Sequence, residues 1–246
     1  MEKMFLEIKN LNFKYNKSKV ALKNVSFSIQ KGSFHGLIGG NGAGKSTLIK
    51  ILTKALENQS GKILVNNKDY LNLKNSNLVV SYFPDVVVFP TGLTVYEYLK
   101  NEYQVINNND KFIKEKITKL LKEFEIGDCI NKSPNRLSSG QKKKVELVRI
   151  MLESPQFIIL DEPTNYLDPH GREILFECLK YFNRQGVTIL ISSHILQELK
   201  LYIDSATIID NGQIKFSGSV HGDELIKKYN EINSGKLEVF KDEASK

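Results

Sequence analysis

"SFHGLIGGNGAGKSTLIKILTKAL", residues 33–56, decides the fold. An apolar run enters a Gly-rich turn and leaves as a segment with Leu48, Ile49, Leu52 and Leu56 at helical spacing. Gly39-Gly40-Asn41-Gly42-Ala43-Gly44-Lys45-Ser46 fits GxxxxGK[ST] in the strand–loop–helix context that pattern requires. Each residue type has a reason. Glycines let backbone N–H groups turn inward around phosphates without side-chain clash. Lys45 reaches β- and γ-phosphates, the Ser46 hydroxyl suits Mg²⁺, and Thr47 adds a hydroxyl near an α-phosphate. These residues predict an α/β core with a nucleotide-phosphate cradle.

Further along, "FIILDEP" (157–163) and "VTILISSH" (187–194) are near-continuous apolar runs, the pattern of central parallel strands. Asp161 ends the first, where it can hold Mg²⁺ through water; Glu162 follows, placed to orient or deprotonate an attacking water. His194 ends the second and is either a capping residue or a γ-phosphate sensor and transition-state hydrogen-bond donor. Tyr15, in "FKYN", offers an aromatic face for adenine or ordinary packing.

The remaining segments organise around this core. "FLEIKNLNFKY" and "VSFSI" alternate like half-buried strands, and "LVVSYF" reads as another short strand. "GKILVNNK" reads as a hairpin turning at Asn66-Asn67, and "ATIIDNGQIKFSG" as a closing hairpin. From Thr94 the texture is helical, with an apolar stripe of Ile113, Ile117, Leu120, Leu121 and Phe124 and a polar loop at 107–110. The expectation is one domain over 1–246. Core and antiparallel β subdomain take 1–85 and 151–219, an inserted helical subdomain takes 86–150, and an amphipathic tail takes 220–246.

A second small-residue turn stands in "NRLSSGQKKKVELVRI", residues 135–150. Ser138-Ser139-Gly140 opens a helix, and such turns hold anions because first-turn N–H groups lack partners. This turn has no phosphate-loop lysine. Lys142, Lys143 and Lys144 are expected mainly on the solvent side of the helix.

Net charge is +7, of which residues 97–150 contribute +4, from 12 Lys/Arg against 8 Asp/Glu. That is too diffuse for a nucleic-acid footprint. Cys129 and Cys178 lack CxxC spacing, which argues against a disulfide scaffold or zinc site and suits a reducing cytosol. The start "MEKMFLEIKN" lacks a signal-peptide core, and no apolar run is long enough to cross a bilayer. Any membrane role is expected to run through another chain.

Taken together these motifs resemble the ATP-binding subunit of an ATP-binding cassette (ABC) transporter, along essentially the whole length and in family order. Tyr15 matches the adenine-stacking loop, Gly39–Thr47 the Walker A loop and Phe157–Glu162 Walker B. Leu137-Ser138-Ser139-Gly140-Gln141 match the LSGGQ signature, with Ser139 where Gly is usual. Tyr166-Leu167-Asp168 match the D-loop, and His194 the switch histidine. The resemblance implies a P-loop ATPase fold, Mg-ATP as cofactor, and hydrolysis in a head-to-tail dimer. There Ser138–Gln141 and Asp168 serve the nucleotide held by the opposite subunit, which supplies the missing lysine.

It also implies a transmembrane permease as partner, a second ATPase subunit (homodimer or heterodimer), and a cytoplasmic place on the inner face of the membrane. Asp85 stands where the family usually has Gln, beside Mg²⁺ and the attacking water, and Gly40 stands where Pro is frequent. The acid at 85, with "TNYLDP", "SSHILQEL" and "NSGKLEVF", resembles export-type members, so export of a peptide, drug or other amphipathic compound is expected. A non-transport module, such as an iron–sulfur assembly or regulatory ATPase, stays open beside it. Repair members carry a long coiled coil and translation factors two cassettes; this sequence has neither.

Overall fold

The computed structural model describes residues 3–15, 20–58, 60–72, 78–106 and 110–243. Two sheets carry the fold. The first strands, β1 (Met4–Lys14) and β2 (Val20–Gln30), pair antiparallel; β4 (Ser60–Val65) joins β1 on its other side, and β5 (Lys68–Asp69) pairs β4. Their half-buried alternation is the pattern read from "FLEIKNLNFKY". Asn66 and Asn67 both take left-handed φ, 49° and 62°, as a tight two-residue hairpin requires.

The second sheet has the order β10-β9-β3-β8-β7-β6. Its members are β3 (Phe34–Ile38), β6 (Val80–Phe83), β7 (Phe157–Asp161), β8 (Thr188–Ser193), β9 (Ser205–Asp210) and β10 (Gln213–Ser219). All pair in parallel except β10, which closes against β9 through the left-handed pair Asn211-Gly212. Every residue of β3, β7 and β8 is buried, which is why β7 and β8 read as near-continuous apolar runs.

The period of two splits each strand between two cores. Leu37, Phe157, Ile159 and Leu190 face the antiparallel sheet and helix α1 (Lys45–Leu52). Phe34, Ile38, Ile158, Leu160, Ile189 and Ile191 face the other core, with helices α2 (Val95–Ile106), α3 (Ile113–Glu123), α4 (Ser139–Glu153) and α5 (Pro169–Arg184). The short α6 (Leu196–Leu199) and the terminal α7 (Glu224–Glu243) complete the order.

The expected stripe on α3 holds: Ile113, Ile117 and Leu121 are buried, Leu120 is partly buried, and Phe124 is buried just beyond the helix. Three expectations meet a different outcome. Helix α1 ends at Leu52, with Lys54 turning left-handed (φ 59°), so Leu56 packs from outside the helix. The expected end of the helical segment at 150 falls inside α4, which runs to Glu153 before Ser154 turns left-handed at φ 50°. Lys143 is buried, not solvated. Of the polar loop at 107–110, residues 107–109 lie outside the described residues, as do the side chains of the tail beyond 233.

The helical part shares its core with the parallel sheet and is also tied to it by buried charge. Arg149 on α4 is gripped by Glu146, with Nε–Oε2 at 2.8 Å, and by Glu153, and donates to the Tyr82 carbonyl at 2.5 Å. Tyr98 of α2 donates to Glu146 at 2.6 Å, and Ser81 of β6 donates to Glu153. Such a set is tolerated because each charge finds partners. It anchors the helices on β6, the strand that leads to Asp85.

Candidate nucleotide site

Open α/β sheets bind ligands beyond the carboxyl ends of their strands. That edge here carries the loop after β3, Asp85 after β6, Glu162 after β7 and His194 after β8. The structure gathers Tyr15, Gly40, Asn41, Gly42, Gly44, Lys45, Ser46, Thr47, Asp85, Glu162, Asn165 and His194 around one cleft of about 520 Å³. Of the residues expected at the site, Gly39 and Ala43 sit within the same loop, and Asp161 ends the strand beneath it.

Backbone needs explain the glycines at two places. A Cβ on Gly39 would stand 2.4 Å from the Ile209 carbonyl oxygen, and Gly44 holds φ 114°. At Gly40 a Cβ would meet nothing within 4 Å, so the departure from Pro costs the loop no contact. Lys45 is 6% exposed and folds back over its own loop. Its Nζ donates to the Gly39 carbonyl at 2.7 Å and lies 3.3 Å from Glu162 Oε1. The other carboxyl oxygen of Glu162 lies 2.8 Å from His194 Nδ1, which leaves Nε2 of that ring to serve a ligand.

The register of β7 against β8 pairs Asp161 with Ser192. The Ser192 hydroxyl donates to Asp161 Oδ1 at 2.7 Å and accepts from the Glu162 N–H at 2.9 Å. One hydroxyl therefore orients both acids. Sequence reasoning missed it, although the serine pair before His194 was in view. Asn165 was also missed: its amide donates to Asp85 Oδ1 at 2.9 Å and fixes that carboxylate at the cleft wall. Tyr15 is 48% exposed, packs edge-on to Phe13 at 5.0 Å, and lies 3.1 Å, hydroxyl to hydroxyl, from Thr47.

A divalent cation fits the donor set. Ser46 is exposed at the cleft and Asp161 stands below it, both hard oxygen donors. Among the described residues no cluster of three or more His, Cys, Asp or Glu is placed to hold a metal alone. A cation here would need phosphate oxygens to complete its shell, as Mg²⁺ sites in phosphoryl-transfer proteins do.

The second turn lies apart from this cleft. Ser138 caps α4 in a reciprocal capping box: its Oγ accepts from Gln141 N at 3.2 Å, and its own N–H donates to Gln141 Oε1 at 3.1 Å. Ser138 and Ser139 are exposed. None of residues 138–141 lines the cleft of this chain. Asp168 caps α5, accepting from the Gly171 N–H at 2.7 Å.

The expectation for "QKKKVEL" is corrected at its centre. Lys144 reaches Glu125 at 3.2 Å, but Lys143, 2% exposed, donates to the Pro163 carbonyl at 3.0 Å and the Glu162 carbonyl at 3.4 Å. Burial pushes its ammonium down to about 8, with Asp85, Asp161 and Glu162 pulling the other way. Helical phase puts residue 143 on the face that meets the turn after β7, and only the tertiary packing shows it.

Residues 22–165 match a family model described as ABC transporter. A Mycoplasma pneumoniae protein described as an ABC transporter ATP-binding protein is 39% identical over 216 residues, covering 87% of this chain and 66% of that one. The chain thus spans just under two thirds of that relative. The zinc uptake system ATP-binding protein ZurA of Listeria monocytogenes is 35% identical over 89% of this chain and 87% of its own length. A solved ATP-binding subunit of an ABC transporter superposes with a TM-score of 0.84 at 30% identity, covering 93% of this chain and 99% of that one. With its phosphate loop, paired acids and separate signature turn in one frame, the chain belongs to the ABC transporter family, among its ATP-binding subunits.

Proposed function

We propose that this chain hydrolyses Mg-ATP in a head-to-tail pair and powers a separate permease from the inner face of a membrane. ATP-binding subunits of the family bind ATP, dimerise and act with a membrane component, and among the described residues no helix is long and apolar enough to cross a membrane. One observation carries the reading. The cleft holds a lysine and a histidine on the two oxygens of one carboxylate, Glu162, while the signature turn sits outside it, exposed and capped.

The residues divide the work. The N–H groups of residues 40–45 and the Lys45 ammonium neutralise the phosphates. Glu162 takes a proton from the attacking water, and His194, held by Glu162 through Nδ1, turns its Nε2 toward the γ-phosphate. Mg²⁺, held through Ser46 and Asp161, would draw charge from the bridging oxygens. Tyr15 stacks on the base. Ser138, Ser139, Gly140, Gln141 and Asp168 serve the partner's nucleotide.

Asp85, with the exposed Val86 and Val88 beyond it, marks the face for the permease. The non-transport alternative has no site feature in its favour. Direction is a separate matter. The export expected from sequence gains no support from the Listeria relative, whose name is for uptake, and import is the direction we favour.

Glu162→Gln tests the catalytic reading. It keeps size and hydrogen bonding but removes the base, so turnover should fall ~10²-fold or more while ATP still binds. The variant should elute as a dimer with Mg-ATP and as a monomer with ADP; normal hydrolysis would remove Glu162 from the mechanism. Vesicles carrying the chain with its permease, scored for ATP-driven movement of solute toward or away from the ATPase side, decide direction.

A further inference from the structure

Lys143 is a buried cation that the catalytic scheme does not use. It lies on a rigid element: α4 is capped at Ser138, and residue 143 follows that cap by little more than one turn. Its Nζ bonds the carbonyls of Glu162 and Pro163, and sits 5.2 Å from the ring centre of Phe83 and 6.0 Å from that of Tyr166. Three segments of the site therefore meet at one ammonium: the end of β6 two residues before Asp85, the exit of β7, and the turn before Asp168.

We propose that Lys143 is a positioning residue that links a subunit's signature turn to its own catalytic carboxylate, so that a nucleotide engaged at Ser138–Gly140 is felt at Glu162. The proposal rests on the head-to-tail reading above. Its physical basis is the backbone that Lys143 holds. Glu162 and Tyr166 are non-glycine residues at φ 43° and 65°, a conformation that persists only where neighbours enforce it. The carbonyls of Glu162 and Pro163, at the start of that turn, accept from Lys143, and the Glu162 carbonyl also accepts from the Asn165 N–H at 3.3 Å.

A shift of α4 by a fraction of an ångström must move these carbonyls. The Glu162 carboxylate then moves against Lys45 and His194, because its N–H is pinned to Ser192. A cation suits the position better than a neutral donor. Asp85, Asp161 and Glu162 all act on it favourably, and it offsets part of the charge those acids place in one partly buried region.

Lys143→Met keeps the apolar stem of the side chain and removes the charge and the donors. In the nucleotide-free monomer, hydrogen exchange at the amides of Asn165 and Leu167 should rise ~10-fold, since both close the turn that Lys143 holds. ATP affinity of the monomer should stay within about twofold, while kcat falls ~10²-fold, the size expected when a catalytic group is displaced by about 1 Å. Lys143→Gln, which keeps a donor and loses the charge, carries the same measurements if the methionine variant does not fold. Unchanged exchange, or kcat within about twofold of wild type, overturns the proposal. Ser138→Arg separates the two readings. If it still turns over, the head-to-tail reading fails and takes the coupling with it. If it is dead while Lys143→Met is normal, the coupling alone fails.

Discussion

The loop before α1 and the turn before α4 are both small-residue N-termini of helices, yet they are built in opposite ways. The first is enclosed: its glycine at 39 is pressed against Ile209, its lysine is buried, and two acids and a histidine face it. The second is exposed, and its capping box satisfies Ser138 from within. The first is a site with its own chemistry. The second offers free first-turn N–H groups and nothing to react with them. The two helix ends differ because one is surrounded by its own chain and the other is left open to the outside.

The comparison breaks most visibly at Lys45. Lys45→Ala removes the counter-charge of the enclosed loop, and ATP binding and turnover should both be lost, with turnover down ~10³-fold. Isothermal titration and a phosphate-release assay read the two effects; wild-type-like hydrolysis would sink the assignment of the loop. At the open turn the effect should be selective. Ser138→Arg places bulk and charge where a partner's γ-phosphate would dock, so turnover should fall ~10²-fold while the monomer binds ATP as before. Lost binding in the monomer would mean that the turn serves its own chain.

The smallest effect sharpens the contrast from beneath the loop. His35, on β3, is 1% exposed, bonded to the hydroxyls of Ser205 at 2.8 Å and Thr207 at 2.9 Å, and stacked on Phe27. Burial lowers it from 6.5 to about 3, so the folded chain holds it neutral. Between those values the unfolded chain binds the extra proton. This contribution is therefore complete above pH ~6.5 and is lost as pH falls toward 3. By pH 5 the loss is about 2 kcal/mol. Urea melts at pH 7 and 5 on wild type and His35→Gln should show the wild type losing that much more. Equal losses would contradict a neutral buried imidazole.

What could be read in the sequence was what is local. The motif at 39–46 names its own geometry, because each glycine and the lysine act within one turn of chain. The all-buried strands β7 and β8 announce a central parallel sheet by composition alone. What could not be read depends on pairings distant in sequence. Ser192 matters because of the register of β8 on β7, and Asn165 because the loop after β6 comes to meet it. Lys143 looks like one of three solvated lysines until α4 is laid against the turn at 162–166. The Leu56 error has a local cause: spacing continued, but a left-handed Lys54 had already ended the helix.

The contact between Lys45 and Glu162 has a consequence for what can start the reaction. At rest the two charges answer each other, with the histidine completing the chain on the far side of the acid. A molecule entering the loop must compete with a carboxylate for that ammonium. A nucleoside without phosphates has nothing to offer in exchange, whereas a polyphosphate outbids one carboxylate with several oxygens. On the proposed mechanism the fuel acts as its own key: the charge it brings would free Glu162 from Lys45 at the moment a base is needed.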